Sequence, residues 1–295
     1  MTQYRFSQQF GGDWTEIKLQ KIEKYLRAYA QIMNKRNFVY AYIDAFAGTG
    51  YRITQHEDKN NQLLSLFEED SQQFQDGSAR IALQIAPRFS KYIFIEKDPE
   101  RSVELENLKV EFSHLADDID VAEGEANKYL QDLCSKNWIK HNRRAVLFLD
   151  PFGMQVEWQT INAIAKTEAI DLWLLFPLGV AVNRMLRKDA QIPEKWQHRL
   201  NTLFGTTDWV DAFYETKVEQ TLFGERISTN KVDDPFNSIS RFFVERLKTV
   251  FAGVAENPLP LYNSRNNPLY LLCFASANPK GSKTAIKIAQ HILSR

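Results

Sequence analysis

Apolar residues along this chain fall into two alternating rhythms. Short uninterrupted runs, of which Ala145-Val146-Leu147-Phe148-Leu149 is the purest, read as strands covered on both faces. Between them, apolar residues recur every third or fourth position, the spacing of one helix face. Residues 14 to 36 read as an amphipathic helix, with Asp13 as cap, Glu16 three residues on, and Ile17, Tyr25, Tyr29, Ile32 and Met33 at helical spacing. Lys18, Lys21, Lys24 and Arg27 occupy its other faces, where a solvated role is expected. Strands are predicted at Phe38 to Phe46, Tyr92 to Ile95, Asp120 to Glu125, Ala145 to Leu149 and Asp171 to Phe176. Helical spacing fills the intervals at Gly77 to Leu83, Pro99 to Phe112, Tyr129 to Trp138 and Trp158 to Ala165. Residues 180 to about 250 read as helical. Two strands, Pro258 to Tyr262 and Leu269 to Phe274, follow around a turn at Asn266-Asn267-Pro268, and Gly281 to Leu293 closes as a helix.

Five alternating strand and helix units, ended by a strand pair, predict an α/β fold: a Rossmann-like, mostly parallel sheet with a C-terminal antiparallel strand and a helical insertion. The chain divides into an N-terminal helical extension (1–37), a cofactor-binding core (38–179), a helical insertion or substrate region (180–255) and a C-terminal piece completing the core (256–295). Within the core, residues 51–76 interrupt the step from strand to helix with a segment rich in Asn and Gln. Placed there, such an insertion overhangs the ligand end of the sheet and is expected to serve as a substrate-facing lid.

Composition narrows this picture little. The 37 basic and 37 acidic residues cancel, so any attraction to nucleic acid must come from a local patch. Cys134 and Cys273 are isolated, fitting neither a disulfide framework nor a thiolate metal site, and are expected to be small buried hydrophobes. His56, His114, His198 and His291 lack ligand spacing, so no metal is expected. Met1 to Arg5 lack the apolar core of a signal peptide, and no apolar run reaches spanning length, which makes the cytoplasm the expected compartment.

The chemistry concentrates where strands end. Asp44, Glu96, Glu125 and Asp150 all fall at predicted carboxyl ends, where open α/β sheets bind ligands. After Asp44 the chain turns through Gly48 and Gly50, residues that let backbone approach a ligand closely. An acid at the tip of the second strand, Glu96, is the usual hook for ribose hydroxyls. The pattern therefore points to a nucleoside-bearing small molecule. A dinucleotide fingerprint requires a third glycine where Ile53 stands, and a triphosphate loop requires Gly-Lys-Ser/Thr after the first strand, which is absent.

Asp44-Ala45-Phe46-Ala47-Gly48-Thr49-Gly50 resembles the first motif of class I S-adenosylmethionine-dependent methyltransferases. Taken together, Tyr42 to Gly50, Gly77-Ser78, Phe94 to Pro99 and Leu147 to Trp158, of which the run Phe148 to Trp158 is the most specific, make the chain resemble the three-Cys-motif partner family over most of its length, most densely over residues 40 to 180. The resemblance implies a class I methyltransferase fold binding S-adenosyl-L-methionine. Asp44, Phe46, Gly48 and Gly50 would hold the methionine portion, Glu96 followed by Lys97 the ribose, and Glu125 the adenine amino group. It also implies a protein partner with a three-cysteine, radical-S-adenosylmethionine-like motif and a setting near mobile elements.

Asp150-Pro151-Phe152 lies where methyltransferases handle the acceptor atom. It resembles the Asp/Asn-Pro-Pro-aromatic run of enzymes that methylate amino groups in nucleic acids, with one proline fewer and the aromatic one place early. Three roles for Asp150 stay open: orienting an amine, touching the cofactor, or acting as general base. Tyr51, Arg52, Arg184 and Arg187, with Lys188, lie on the ligand side as a phosphate-and-stacking surface or as ordinary surface charges. Lys140, His141, Arg143 and Arg144 precede the fourth strand and are expected in a solvated turn away from the ligand. The expected function is methyl transfer to a nitrogen or oxygen acceptor, with nucleic acid as the leading class. The alternatives are a non-catalytic cofactor-binding partner of the three-cysteine protein and a small-molecule methyltransferase.

Overall fold

The computed structural model describes residues 13–47, 77–151, 153–221 and 224–294. The expected lid at 51–76, and with it Gly48, Gly50, Tyr51, Arg52 and Phe152, lies outside the described residues. The first half runs α1 (Asp13–Met33), β1 (Val39–Ala45), α2 (Ser78–Leu83), β2 (Lys91–Glu96), α3 (Pro99–Glu111), β3 (Ile119–Glu123), α4 (Ala126–Cys134), β4 (Arg143–Leu149), α5 (Trp158–Lys166) and β5 (Ile170–Phe176). A π-helical turn at Leu178–Val182 leads into α6 (Asn183–Met185), α7 (Glu194–Phe204), α8 (Trp209–Phe213), β6 (Tyr214–Thr221), β7 (Gly224–Lys231) and α9 (Pro235–Lys248). The chain closes with β8 (Gly253–Val254), β9 (Leu259–Tyr262), β10 (Pro268–Ser276) and α10 (Ser282–Leu293).

The main sheet has the order β3-β2-β1-β4-β5-β10-β8, and β9 also pairs with β10. Strands β1 to β5 are mutually parallel, and β10 runs antiparallel to β5, Leu271 facing Phe176 and Ser276 facing Asp171. This is the predicted α/β, Rossmann-like sheet with antiparallel C-terminal strands. β1 sits at its centre, and the chain crosses from one side of β1 to the other between β3 and β4. The carboxyl ends of β1, β2 and β4 border the switch point where such sheets take ligands.

Side chains alternate between two cores. Tyr40, Tyr42, Phe94, Phe148, Trp173 and Phe274 face the layer containing α1 and α10. Ala41, Ile43, Ala45, Leu147 and Leu149 face the layer built from α4, α5, α7 and α9. Covering both faces is why these strands read as uninterrupted apolar runs.

Helix α1 departs from expectation in the face it buries. Ile17 and Ile32 are 38% and 36% exposed, while Trp14, Ile22, Tyr25, Leu26 and Tyr29 are buried. Lys18 and Lys21, expected in solvent, are only 5% and 7% exposed. Lys21 Nζ donates to the carbonyl of Ile292 at 2.9 Å, at the end of α10, where orphan carbonyls attract a cation. These lysines share the stripe of Trp14 and Tyr25, but a count of apolar residues alone misses them. Because Lys18 meets the end of β4 and Tyr29 packs on Tyr40 near the start of β1, α1 runs antiparallel to the strands.

A second departure lies in 180–255, expected to be helical. It also contains an antiparallel hairpin, β6 with β7, forming its own two-stranded sheet. Glu215, Thr216, Lys217 and Val218 are all exposed. A ribbon wet on both faces carries no apolar alternation to reveal it. Its base is tied to the segment after β5: Lys231 Nζ donates to both Asn183 O and Asn183 Oδ1, and Tyr214 Oη to Arg187 O. Arg144, expected in a solvated turn, instead places its guanidinium 4.5 Å from the Phe38 ring centre.

A buried polar bridge fixes α1 on the sheet. Tyr25 Oη donates to Asp171 Oδ2 at 2.7 Å, and Ser276 Oγ to Asp171 Oδ1 at 2.6 Å. Burial pushes the Asp171 carboxyl up to about 6, partly offset by these two hydrogen bonds and the charge of Arg144. Removing one donor leaves a buried acceptor unsatisfied. Tyr25→Phe should therefore lower unfolding free energy by about 1–3 kcal/mol, seen as a lower urea midpoint. An unchanged midpoint would contradict the bridge's role.

Candidate functional site

The site begins where β1 runs out. Asp44 pairs in register with Phe94 on β2 and Phe148 on β4, so its side chain leaves the middle of the sheet on the α1 face. The chain then turns sharply. Phe46 takes a left-handed conformation (φ 73°), and the amides of Phe46 and Ala47 both donate to Ile95 O at 3.0 and 3.1 Å. A bulky residue at positive φ is an uncommon, strained arrangement, found where a site dictates the backbone path.

Asp44 is fully buried. Tyr42 Oη donates to its Oδ2 at 3.0 Å, and the Ser78 hydroxyl at the start of α2 also bonds the carboxylate. Its Oδ1 is buried and takes no hydrogen bond among the described residues. Burial pushes the carboxyl up to about 7. The Ser78 and Tyr42 hydrogen bonds pull it down, the charge of Asp150 raises it, and that of Lys18 lowers it.

Asp150, just beyond β4, is two residues past Phe148 and thus on the same face as Asp44. Lys18 Nζ donates to Asp150 Oδ2 at 2.5 Å in an ion pair largely removed from solvent. The ammonium also lies 5.2 Å from the Trp14 ring centre and 5.9 Å from that of Phe148, so aromatic faces support the cation. Asp150 Oδ1, like Asp44 Oδ1, is buried without a partner among the described residues. Pro151 is buried behind it.

Across β1, Glu96 ends β2. Its Oε1 accepts the amides of Lys97 and Asp98, each at 2.8 Å, so the acid is fixed by the turn that follows it. Asp98 caps α3 through the amides of Glu100 and Arg101. Lys97 is exposed. Glu125 has been drawn into capping: Oε1 accepts from the Asn127 amide and side chain, and Oε2 from the Lys128 amide. Burial raises its carboxyl, but these hydrogen bonds and the charge of Lys97 outweigh that and leave it below the usual range. Asn127 reaches on to Gln155 O, while its Oδ1 accepts from the Glu157 amide and the Thr160 hydroxyl, anchoring the loop after β4. Arg184 is exposed on α6, and Arg187 pairs with Asp189 at 3.3 Å.

The structure thus gathers Asp44 and Asp150, with Glu96 one strand away, and adds Lys18, Tyr42, Ser78 and Asn127, to which the sequence reading gave no role. Tyr42 and Ser78 had a signal there, within the Tyr42 to Gly50 and Gly77-Ser78 motifs. A cavity of about 520 Å³ lined by Cys134, Trp138 and Thr167 lies among the C-terminal ends of α4 and α5, apart from these carboxylates. The chemistry fits a ligand bearing a cationic or hydrogen-donating group for the two orphaned oxygens and a diol for Glu96. S-adenosyl-L-methionine has both.

No family model matches the chain, and no curated protein matches it in sequence. Among solved structures, protein LPL1258 from Legionella pneumophila str. Philadelphia 1 is 15% identical, with 81% of this chain and 93% of that one covered at a TM-score of 0.40. A methyltransferase from Geobacter sulfurreducens is 14% identical, covering 71% and 78% at a TM-score of 0.28. An RNA methyltransferase from Salinibacter ruber in complex with S-adenosyl-L-homocysteine is 10% identical, covering 72% and 95% at 0.26. Likenesses this distant carry no function across. Among the described residues, no helix is long and apolar enough to cross a membrane.

The raised Asp44 carboxyl has a consequence for stability. The folded state holds this proton more tightly than the unfolded chain, so stability falls as pH rises from about 4 towards 7, and the penalty is complete above 7. Asp44→Asn removes the charge. Relative to that variant, the wild type should lose up to about 1.4 kcal/mol per pH unit between pH 5 and 7, read as melting temperatures. Parallel melting profiles would contradict the burial of an ionisable Asp44.

Proposed function

We propose that this chain is an S-adenosyl-L-methionine-dependent methyltransferase acting on a nitrogen or oxygen acceptor, with nucleic acid as the acceptor class. The observation that carries the reading is the pair of buried, unpartnered carboxylate oxygens, Asp44 Oδ1 and Asp150 Oδ1, at the ends of adjacent strands. A buried acceptor without a donor costs about 1–3 kcal/mol. A ligand or acceptor that donates there recovers it.

When bound, S-adenosyl-L-methionine supplies an electrophilic methyl on a positively charged sulfur. Asp44 would receive the amino-acid end, and Glu96, pinned by the Lys97 and Asp98 amides, would accept from the ribose hydroxyls. Asp150 would take a hydrogen bond from the acceptor, aiming its lone pair and accepting the proton it sheds. Lys18 leaves Oδ1 as the available oxygen by occupying Oδ2. Since the displacement is in line, alignment by fixed groups supplies much of the rate. The strained Phe46 turn and the ion-paired Asp150 are suited to that task. The nucleic-acid acceptor rests on Asp150-Pro151-Phe152 and on Arg184, Arg187 and Lys188 in the segment after β5. The run Phe148 to Trp158 favours the three-Cys-motif partner family, and with it a radical-S-adenosylmethionine-like protein partner.

Calorimetry with S-adenosyl-L-methionine, followed by labelled-methyl transfer to total RNA and DNA, tests the proposal. Glu96→Ala should weaken cofactor binding at least about tenfold, equivalent to ~1.4 kcal/mol. Asp150→Ala at saturating cofactor should abolish transfer. A chain that binds NAD instead, or an Asp150→Ala variant that transfers normally, would overturn it.

A further inference from the structure

Asn127 is a buried amide with every hydrogen-bonding position of its side chain in use. Its Nδ2 donates to Glu125 Oε1 and to the carbonyl of Gln155, both at 2.8 Å. Its Oδ1 accepts the Glu157 amide at 3.0 Å and the Thr160 hydroxyl at 2.9 Å. Two of these partners fix which end of the side chain is which, because a carbonyl can only accept and a main-chain amide can only donate. The side chain therefore grips the main chain on both sides of Val156, where the loop leaving Asp150 enters α5. On its other side stands Glu125, whose neighbour Gly124 donates its amide to the Glu96 carbonyl at 2.9 Å. The turns after β2, β3 and β4 are thus joined in one chain of bonds. A buried asparagine costs desolvation that an aliphatic residue would avoid. A fully satisfied network of this kind fixes a single arrangement.

We propose that Asn127 is a positioning residue that couples the cofactor side of the site, Glu96 and Glu125, to the loop that begins at Asp150. The inference rests on the methyltransferase reading and adds a coupling to it. Glu125 is exposed, and among the described residues its Oε2 accepts the Lys128 amide alone. A carboxylate oxygen has two acceptor positions, so one is left for the amino group of an adenine. A ligand bonded there holds Glu125, Glu125 holds the Asn127 side chain, and Asn127 holds Gln155 and Glu157. The loop from Asp150 is then pinned at one end by Lys18 and at the other by Asn127. Binding on one side of β1 steadies the groups that handle the acceptor on the other side.

Hydrogen exchange read by mass spectrometry, with S-adenosyl-L-homocysteine as the ligand, tests this without any acceptor. In the wild type, saturating ligand should slow exchange across residues 154–159 about tenfold, a usual size for coupling between sites, besides slowing it around Glu96. Asn127→Asp keeps the size of the side chain and both acceptances but, as a carboxylate, cannot donate. It should lose the response at 154–159 while the ligand still binds. Thr160→Val removes a bond to Asn127 without touching Glu125 or the loop, and should keep the response. A purely structural asparagine would speed exchange in the free variant and leave the effect of the ligand intact. Wild-type protein that is protected around Glu96 but unmoved at 154–159 overturns the inference, needs no variant to fold, and spares the methyltransferase reading. An Asn127→Asp variant that responds as the wild type does has the same consequence. Failure of the wild type to bind S-adenosyl-L-homocysteine removes both.

Discussion

A carboxylate taken wholly out of water on the central strand of a sheet is an expensive object. Asp44 is held there by a phenol and a hydroxyl on one side and left with an unbonded oxygen on the other. Much of the architecture around it follows from that placement. β1 must be central, so that β2 and β4 wall it on both sides. The α1 face must be covered, and α1 sets aromatic rings among its aliphatic chains to do so: Trp14, Tyr25 and Tyr29 against Tyr270, Trp173, Phe274 and Tyr40. The turn after β1 must then bend away at once, which Phe46 does in a conformation that few bulky residues adopt.

Such a group is out of place in a protein optimised only to stay folded. Structural economy would have an amide or an aliphatic residue at position 44, because an unpaired buried charge is destabilising. The same face carries a second acid, and here the fold answers with Lys18, so that one charge is neutralised and the other is not. Glu125 and Asp98 stand as the contrast, since both have been used as helix caps. What distinguishes Asp44 and Asp150 from them is a buried oxygen without a partner among the described residues. The path from sequence to function in this chain runs through those two atoms.

Most of the sheet was legible in the sequence because its strands are covered on both faces and therefore uninterrupted. The acids at their tips stood out for the same reason, as charges at the ends of apolar runs. Lys18 and Lys21 could not be recognised as buried, because their partners, Asp150 and the carbonyl of Ile292, are distant in sequence and lysine counts as polar in any periodicity. The β6–β7 ribbon was hidden because neither of its faces is apolar. Glu125, expected at the end of the third strand, lies past β3 and directly before Ala126, where it caps α4 and the amides of the first turn engage both oxygens. Tyr42 read only as part of the buried first strand and its motif, although its hydroxyl bonds the acid two residues further along.

The central claim is that Asp44 is kept proton-hungry and underbonded for a positively charged ligand. Carbon-13 NMR of aspartate carboxyls, with Asp44 assigned by substitution, reads that directly. In the free protein the Asp44 resonance should titrate near 7, and saturating S-adenosyl-L-methionine should hold it ionised well below that pH. A resonance that titrates in the ordinary carboxylate range, or one that the cofactor leaves unmoved, would contradict the account.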